Sequence, residues 1–285
     1  MRGFTFIEVL TTLVLLSVLA ALGMGLITRP AQSFAEQTRR LELVDMADTA
    51  LKRMARDVRH ALPNSVRTAS AATRTALEFL HTSGGGRYRA QLEADGSGDP
   101  LFNGAADTFD VLGTMLVSSA VDTGPAGQAS CFNDLADCLV IYNTGSGPGD
   151  FNAYQGDNIA TLTAVAPGQL TFDNGGGWSF PFLIPPTAEQ RFYIVDTPQS
   201  FVCDTSVREL RRYTGYVIGA AQPITDADFG SAGELLAVNV AGCQFTYNPG
   251  AGFRHGLVTL RVVVDDLPSG ERVALLHQVH VVNVP

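Results

Sequence analysis

The chain opens with an unbroken apolar run. Residues 9–28 read VLTTLVLLSVLAALGMGLIT, twenty positions without a charge and with only Thr11, Thr12, Ser17 and Thr28 as polar side chains. At ~1.5 Å per residue a helix of that length covers about 30 Å, so the pattern predicts a helix able to span a bilayer. Beyond Arg29-Pro30 the helical spacing continues but becomes one-sided. Val44, Ala47, Leu51, Met54, Val58 and Ala61 or Leu62 recur every three or four residues, while Arg40, Asp48, Lys52, Arg53, Arg56 and Arg59 fall mostly elsewhere. This predicts an amphipathic second half clamped against a sheet and ended by Pro63-Asn64. A kink at Pro30, or unwinding at Gly23 and Gly25, is expected at the join.

From residue 65 onward the period shortens to two, and short apolar alternations are separated by Gly and Pro. Strands are predicted at 76–81, 88–92, 108–112, 138–143, 159–165, 169–173, 191–196, 201–204, 209–218, 241–248, 257–265 and 272–282. The last two flank Asp266-Leu267-Pro268-Ser269-Gly270-Glu271, a turn composition that predicts an antiparallel hairpin. Gly84-Gly85-Gly86, residues 145–149 and Gly175-Gly176-Gly177 read as dividers. The stretch at about 92–177, rich in Gly, Asp, Asn and Ala, reads as a large insertion or second lobe on the sheet.

Composition sharpens the picture. Of 285 residues 46% are hydrophobic, which excludes global disorder, and 16% are charged, below the roughly 25% usual in soluble domains. The net charge of −9 excludes general nucleic-acid coating, so no nucleic-acid partner is expected. Its placement is uneven. In residues 29–74 nine Lys/Arg face five Asp/Glu, a balance of +4; in residues 75–285 nine face twenty-two, a balance of −13. A basic stem therefore carries an acidic body. Glu42, Asp45, Asp48 and Asp57 interleave with the stem's bases, which marks a solvated face with i,i+4 pairs rather than a polyanion site.

The residue types that carry chemistry are sparse. No GxSxG, HExxH or GxxxxGK[ST] occurs, so no enzymatic activity and no cofactor are expected. His277 and His280 lie three apart on a predicted strand, on opposite faces, a poor arrangement for one metal. Asp134, Asp137, Asp150, Asn152, Asp157 and Asn158 offer the oxygen ligands Ca²⁺ takes, yet their spacing fits no EF-hand and loop Asx residues more often cap turns; no metal is assigned. Cys131, Cys138, Cys203 and Cys243 form an even set that in an exported chain reads as two disulfides with three connectivities open. The preferred pairing joins Cys131 to Cys138 across a short loop and Cys203 to Cys243 between two strands; free buried cysteines are the alternative. Trp178 and Phe180-Pro181-Phe182-Leu183-Ile184-Pro185-Pro186 suit either a core-covering loop or an exposed surface for a glycan or partner.

One position resists a bland reading. Glu8 stands just inside the apolar run, where an unpaired carboxylate is costly. In a bundle of such helices it can neutralise an amine, its own chain's or a neighbour's, and so set axial register. The run Arg2-Gly3-Phe4-Thr5-Phe6-Ile7-Glu8-Val9-Leu10 resembles the prepilin signature of type IV pilins and type II secretion pseudopilins. The resemblance implies cleavage after Gly3 by a membrane-embedded prepilin peptidase, N-methylation of the new terminus Phe4, and an assembly role for Glu8. Further pieces are similar to the O subclass of minor pilins from mannose-sensitive haemagglutinin (MSHA) pili: Arg53-Met54-Ala55-Arg56-Asp57-Val58-Arg59-His60-Ala61-Leu62-Pro63-Asn64-Ser65-Val66-Arg67, Leu77-Glu78-Phe79-Leu80, Gly84-Gly85-Gly86-Arg87-Tyr88-Arg89, and His277-Gln278-Val279-His280-Val281-Val282-Asn283-Val284-Pro285.

What this implies is an α+β fold, a pilin-like long N-terminal helix with a transmembrane half and an amphipathic half, packed on an antiparallel β-sheet head with a large Gly/Asp-rich insertion. The implied parts are a leader at 1–3, a transmembrane and assembly helix at 4–28, an amphipathic stem at 29–63 and a β-rich periplasmic or extracellular head at 64–285. The implied function is that of a minor pilin helping to initiate or cap an MSHA-type type IV pilus. A J-like minor pseudopilin of a type II secretion system, or a tip adhesin for surface glycans, is the alternative. Implied partners are prepilin peptidase, other minor and major pilins, an inner-membrane assembly platform and membrane lipid. The implied location is a single-pass inner-membrane protein with a cytoplasmic N-terminus and periplasmic head, then a cell-surface pilus.

Overall fold

The computed structural model describes all residues except 1–2, 4, 102–106, 118–120, 125–129, 146–150, 174–189, 251–254 and 285, and all their side chains except those of 22–32, 116–117 and 130. Helix α1 (Phe6–Val58) leads into a body built from β1 (Arg67–Ala71), β2 (Arg74–Tyr88), β3 (Thr108–Val117), a short α2 (Ser130–Asn133) and β4 (Cys138–Val140). A single 3₁₀ turn at Ala153–Gln155 precedes β5 (Ile159–Ala166), β6 (Gln169–Asp173), β7 (Arg191–Asp204) and β8 (Glu209–Tyr213). A short α3 (Asp226–Phe229) is followed by β9 (Glu234–Ala237), β10 (Val240–Asn248), β11 (His255–Asp266) and β12 (Glu271–Val282).

Strands β2 and β7 form the spine. They pair antiparallel from Arg74↔Asp204 to Arg87↔Arg191, and each half of this pair belongs to a different structure. At one end β1 flanks β2 while β8 and β9 extend from β7, giving an open sheet in the order β1-β2-β7-β8-β9. At the other end β2 passes to β3, β6, β5 and β4 and returns to β7, so that six strands close on themselves. Closure satisfies the edges that short strands would otherwise expose. The ring is filled rather than hollow, with Tyr88, Phe109, Leu139, Leu162, Phe172 and Phe192 packed together inside it. Phe109 meets Phe192 edge-on at 5.4 Å between ring centroids.

The open sheet presents Leu77, Phe79, Phe201 and Leu210 from alternate positions to the last turns of α1, where Ala47, Leu51, Met54 and Val58 are buried. The separate antiparallel sheet β10-β11-β12 closes the same core with Val258, Leu260, Val262 and Val279. Cys203 on β7 and Cys243 on β10 are disulfide-bonded, joining the two sheets, and Cys131–Cys138 closes the loop before β4; this is the pairing preferred from the sequence.

Several expectations are corrected. The pilin-like fold, a long N-terminal helix on an antiparallel head with an insertion, gives way to a mainly β molecule with a nine-stranded sheet and a second sheet of three. The physical reason is that the supposed insertion supplies β3 to β6, whose apolar faces line the ring and hydrogen-bond into the spine instead of forming a lobe on it. A transmembrane half is not supported, because among the described residues no helix is long and apolar enough to cross a membrane. The expected inner-membrane location, with N-terminus inside and head outside before transfer to a surface pilus, falls with it. Helix α1 ends at Val58 rather than at Pro63, since Leu62 donates its amide to Leu80 at 2.8 Å and Ala61 bridges to His81, turning the chain onto the sheet.

Gly84-Gly85-Gly86 is not a divider but the interior of β2, where β7 approaches closely. A Cβ at Gly85 would stand 2.8 Å from the Phe192 carbonyl oxygen, and one at Gly86 would stand 2.8 Å from the Phe192 ring. We expect Gly85→Ala to destabilise the protein by about 1–3 kcal/mol through this overpacking. Urea unfolding checks it, with an unchanged midpoint as the contrary result.

Candidate assembly site and polar clusters

The first turn of α1 is where the sequence concentrates its chemistry. Thr5 is the N-cap, with extended backbone, and Glu8 folds back onto it, accepting from the Thr5 amide and from the Thr5 hydroxyl, both at 3.3 Å. Such a box satisfies amides that the first helical turn leaves free, and a carboxylate there is favoured by the helix dipole. Gly3 is exposed, with open space where a Cβ would stand. Phe4 lies outside the described residues. The structure thus places Glu8 in the first turn of the helix, against Thr5.

Downstream of Glu8 the helix shows apolar side chains on every face. Val9, Leu10, Leu13, Leu16 and Leu19 are all exposed, Leu13 and Leu16 at 62% each. Thr11, Thr12 and Ser17 donate their hydroxyls to the carbonyls of Glu8, Val9 and Val14 at 2.8–3.0 Å, so their hydroxyl protons are already used within the helix. A contiguous apolar surface of this kind marks an interaction site. Among the described side chains of α1, burial begins at Leu43; the turn before it meets the body at its edge, where Arg40 lies 3.9 Å from Glu271.

Among the buried acids of the body, Glu78 and Asp137 have their carboxyls pushed up by burial. Glu78, fully buried on β2, receives Arg67 Nε at 2.6 Å and the Tyr216 hydroxyl at 3.0 Å. The Arg67 guanidinium also lies 3.6 Å from the centre of the Tyr154 ring and donates to the carbonyls of Gly219 and Ala220. Burial pushes the Glu78 carboxyl up, against the pull of Arg67 and Tyr216. The cluster ties β1, β2, the 3₁₀ turn and the loop after β8 together. Alternation alone could not reveal it, because Glu78 occupies an interior position of an otherwise apolar run.

Asp137 lies next to the Cys131–Cys138 bridge. It is 4% exposed and accepts the Asp122 amide at 3.2 Å. The remaining loop Asx residues serve the backbone. Asn152 accepts from Tyr154 N, Asp157 from Asn152 N, and Asn158 donates to the Ile141 carbonyl. Asp150, Trp178 and residues 180–186 lie outside the described residues. His277 and His280 lie on opposite faces of β12, against Leu260 and Leu257 of β11. No group of metal-binding residues is found among the described residues.

The pieces quoted as resembling minor pilins do meet in space. Arg67 pairs with Glu78, and the Asn64 side-chain amide donates to the Asn143 and Asn283 carbonyls at 2.8 and 3.3 Å. Comparison with family models, curated proteins and solved structures returns no match to this chain.

Burial, opposed by the Asp122 amide and reinforced by the charges of Asp196 and Asp122, pushes the Asp137 carboxyl from 3.8 to about 6. Its folded value lies above its unfolded one, so its contribution is fully present below 3.8 and is lost as pH rises through about 6. Asp137→Asn should therefore raise Tm at pH 7–8 and leave it nearly unchanged at pH 3.5. Thermal melts across that range test it, and an equal gain at both ends would contradict it.

Proposed function

We propose that this chain is a structural subunit of the minor-pilin type, processed after Gly3 and incorporated by α1 into a type IV filament, where it helps to initiate or cap assembly. The observation that carries the reading is the first turn of α1. A carboxylate with a local partner sits at the start of a helix whose next turns are apolar all round and touch none of the body's core.

The chemistry of assembly follows from that geometry. Cleavage after Gly3 would create an ammonium on Phe4, one residue from the Thr5 amide that Glu8 already accepts. The carboxylate is thus placed to exchange a weak amide bond for a charge-assisted one, on its own chain or on a neighbour packed alongside. In an apolar bundle, a helix displaced along the axis would leave both charges unpaired, so the pair specifies register. The apolar turns supply lateral adhesion. The body's size and acidity, with a balance of −13 over residues 75–285, suit a subunit placed once at an end rather than stacked on like-charged copies along a fibre. The role is structural, with prepilin peptidase and other pilins as partners.

Intact mass and N-terminal sequencing of the native protein test the reading. The expected chain lacks Met1 to Gly3 and carries one added methyl on Phe4; a chain beginning downstream of residue 28 would contradict it. Glu8→Ala should be cleaved normally yet recovered at least about tenfold less in sheared filaments, consistent with the loss of an ion pair in a low-dielectric bundle.

A further inference from the structure

The edge of a sheet is where a chain can recruit a further strand, and among the described strands this molecule closes, shortens or ties down every edge but one. The six-stranded ring has no edge of its own. In the open sheet β1 spans five residues and β9 four, and Glu234 at the start of β9 is held by Arg53 at 2.7 Å. In the three-stranded sheet β10 is tied to β7 through Cys243 and Cys203, and its register shifts between Val240 and Gly242. β12 has none of these protections. It runs for twelve residues, pairs with β11 without interruption from Val282↔His255 to Glu271↔Asp266, and has no second neighbour among the described strands.

The side chains along that edge do not repel a second strand either. Residues 276–282 read LHQVHVV, without Asp, Glu, Lys or Arg. Val279 and Val281 are buried in the core shared with α1, while Leu276, Gln278, His280 and Val282 alternate with them and are exposed. Leu276 is 58% and Val282 50% exposed, so two large apolar side chains stand in water on an open edge. The acidity of the body lies elsewhere, since residues 91–190 hold twelve Asp/Glu and no Lys, Arg or His. A second copy can therefore approach along 276–282 without setting like charges directly opposite one another.

We infer that β12 is a pairing edge for a second copy of this chain, antiparallel and two-fold about Val279. Laid against its own image, the segment sets Leu276 opposite the partner's Val282, Gln278 opposite the partner's His280 and His277 opposite the partner's Val281. Both exposed apolar side chains are then covered, twice by symmetry, and each glutamine amide faces an imidazole it can hydrogen-bond. Other registers do worse. Centred on Gln278, the pairing sets Leu276 against His280 and Val282 against Ala274; centred on His277, it sets two imidazoles face to face and Val282 against Arg272. The two-fold pair is closed and adds no copies along a fibre. The inference does not rest on the filament reading, because neither Glu8 nor the apolar turns of α1 enter it.

The test is made in the full chain, whose four native cysteines are already bonded to one another. Leu276→Cys and Val282→Cys together place two thiols six residues apart on one strand, about 20 Å, too far to join within a chain. Oxidised glutathione should convert this double variant to a covalent dimer and give little dimer from either single variant. The interface is small and the association weak, and trapping accumulates it. Adding Gln278→Glu and His280→Glu, both at exposed positions, sets carboxylates opposite each other twice and should slow dimer formation several-fold at unchanged Tm. No covalent dimer, as much dimer from a single-cysteine variant, or an undiminished rate with the two glutamates would overturn the inference.

Discussion

The structure depends on one shared apolar contact: the last turns of α1, from Leu43 to Val58, are buried by two separate sheets at once. The open sheet contributes Leu77, Phe79, Phe201 and Leu210 from one side, and β11 and β12 contribute a row of valines and Leu260 from the other. Burying a side chain such as Met54 or Val58 stabilises by about 1.5–3 kcal/mol, so the docked turns outweigh any single ion pair on the surface. The disulfide between Cys203 and Cys243 lies within this same core and limits how far the sheets can separate.

That contact also decides what the rest of the helix can do. Because docking into the core uses only the C-terminal turns, the leucines and valines of the first turns, from Ile7 to Leu19, lie in solvent. An isolated subunit cannot cover them with its own sheets. The helix is therefore attached to the body at one end and carries exposed apolar turns at the other, the feature on which the proposed assembly role rests. The spine formed by β2 and β7 separates the labour in the same way, anchoring α1 with one half and closing a filled six-stranded ring with the other.

Much of this was legible in the sequence. Helical spacing from Val44 to Val58 marked the docked stripe, alternation marked most strands, and Pro268-Ser269-Gly270 marked the hairpin of β11 and β12. The disulfide pairing followed from placing Cys203 and Cys243 on different strands. What could not be read was tertiary. Gly84-Gly85-Gly86 has the composition of a loop, yet it lies inside β2 because β7 crowds it. Pro198 divides the apolar pattern of β7 into two apparent strands, while the structure tolerates it beside a register shift opposite Leu80. Closure of the ring depends on β7 pairing with both β2 and β4, a relation between segments more than fifty residues apart that no local period encodes.

The most direct measurement exploits the absence of free cysteines among the described residues. A single Leu16→Cys substitution places one thiol on the projecting turns of α1, to be titrated with a water-soluble maleimide in the purified subunit and in sheared filaments. Rapid labelling of the subunit and strong protection in the filament are expected if neighbouring helices cover residue 16 on assembly. Equal labelling in both would show that these apolar turns remain in water after assembly, and would contradict it.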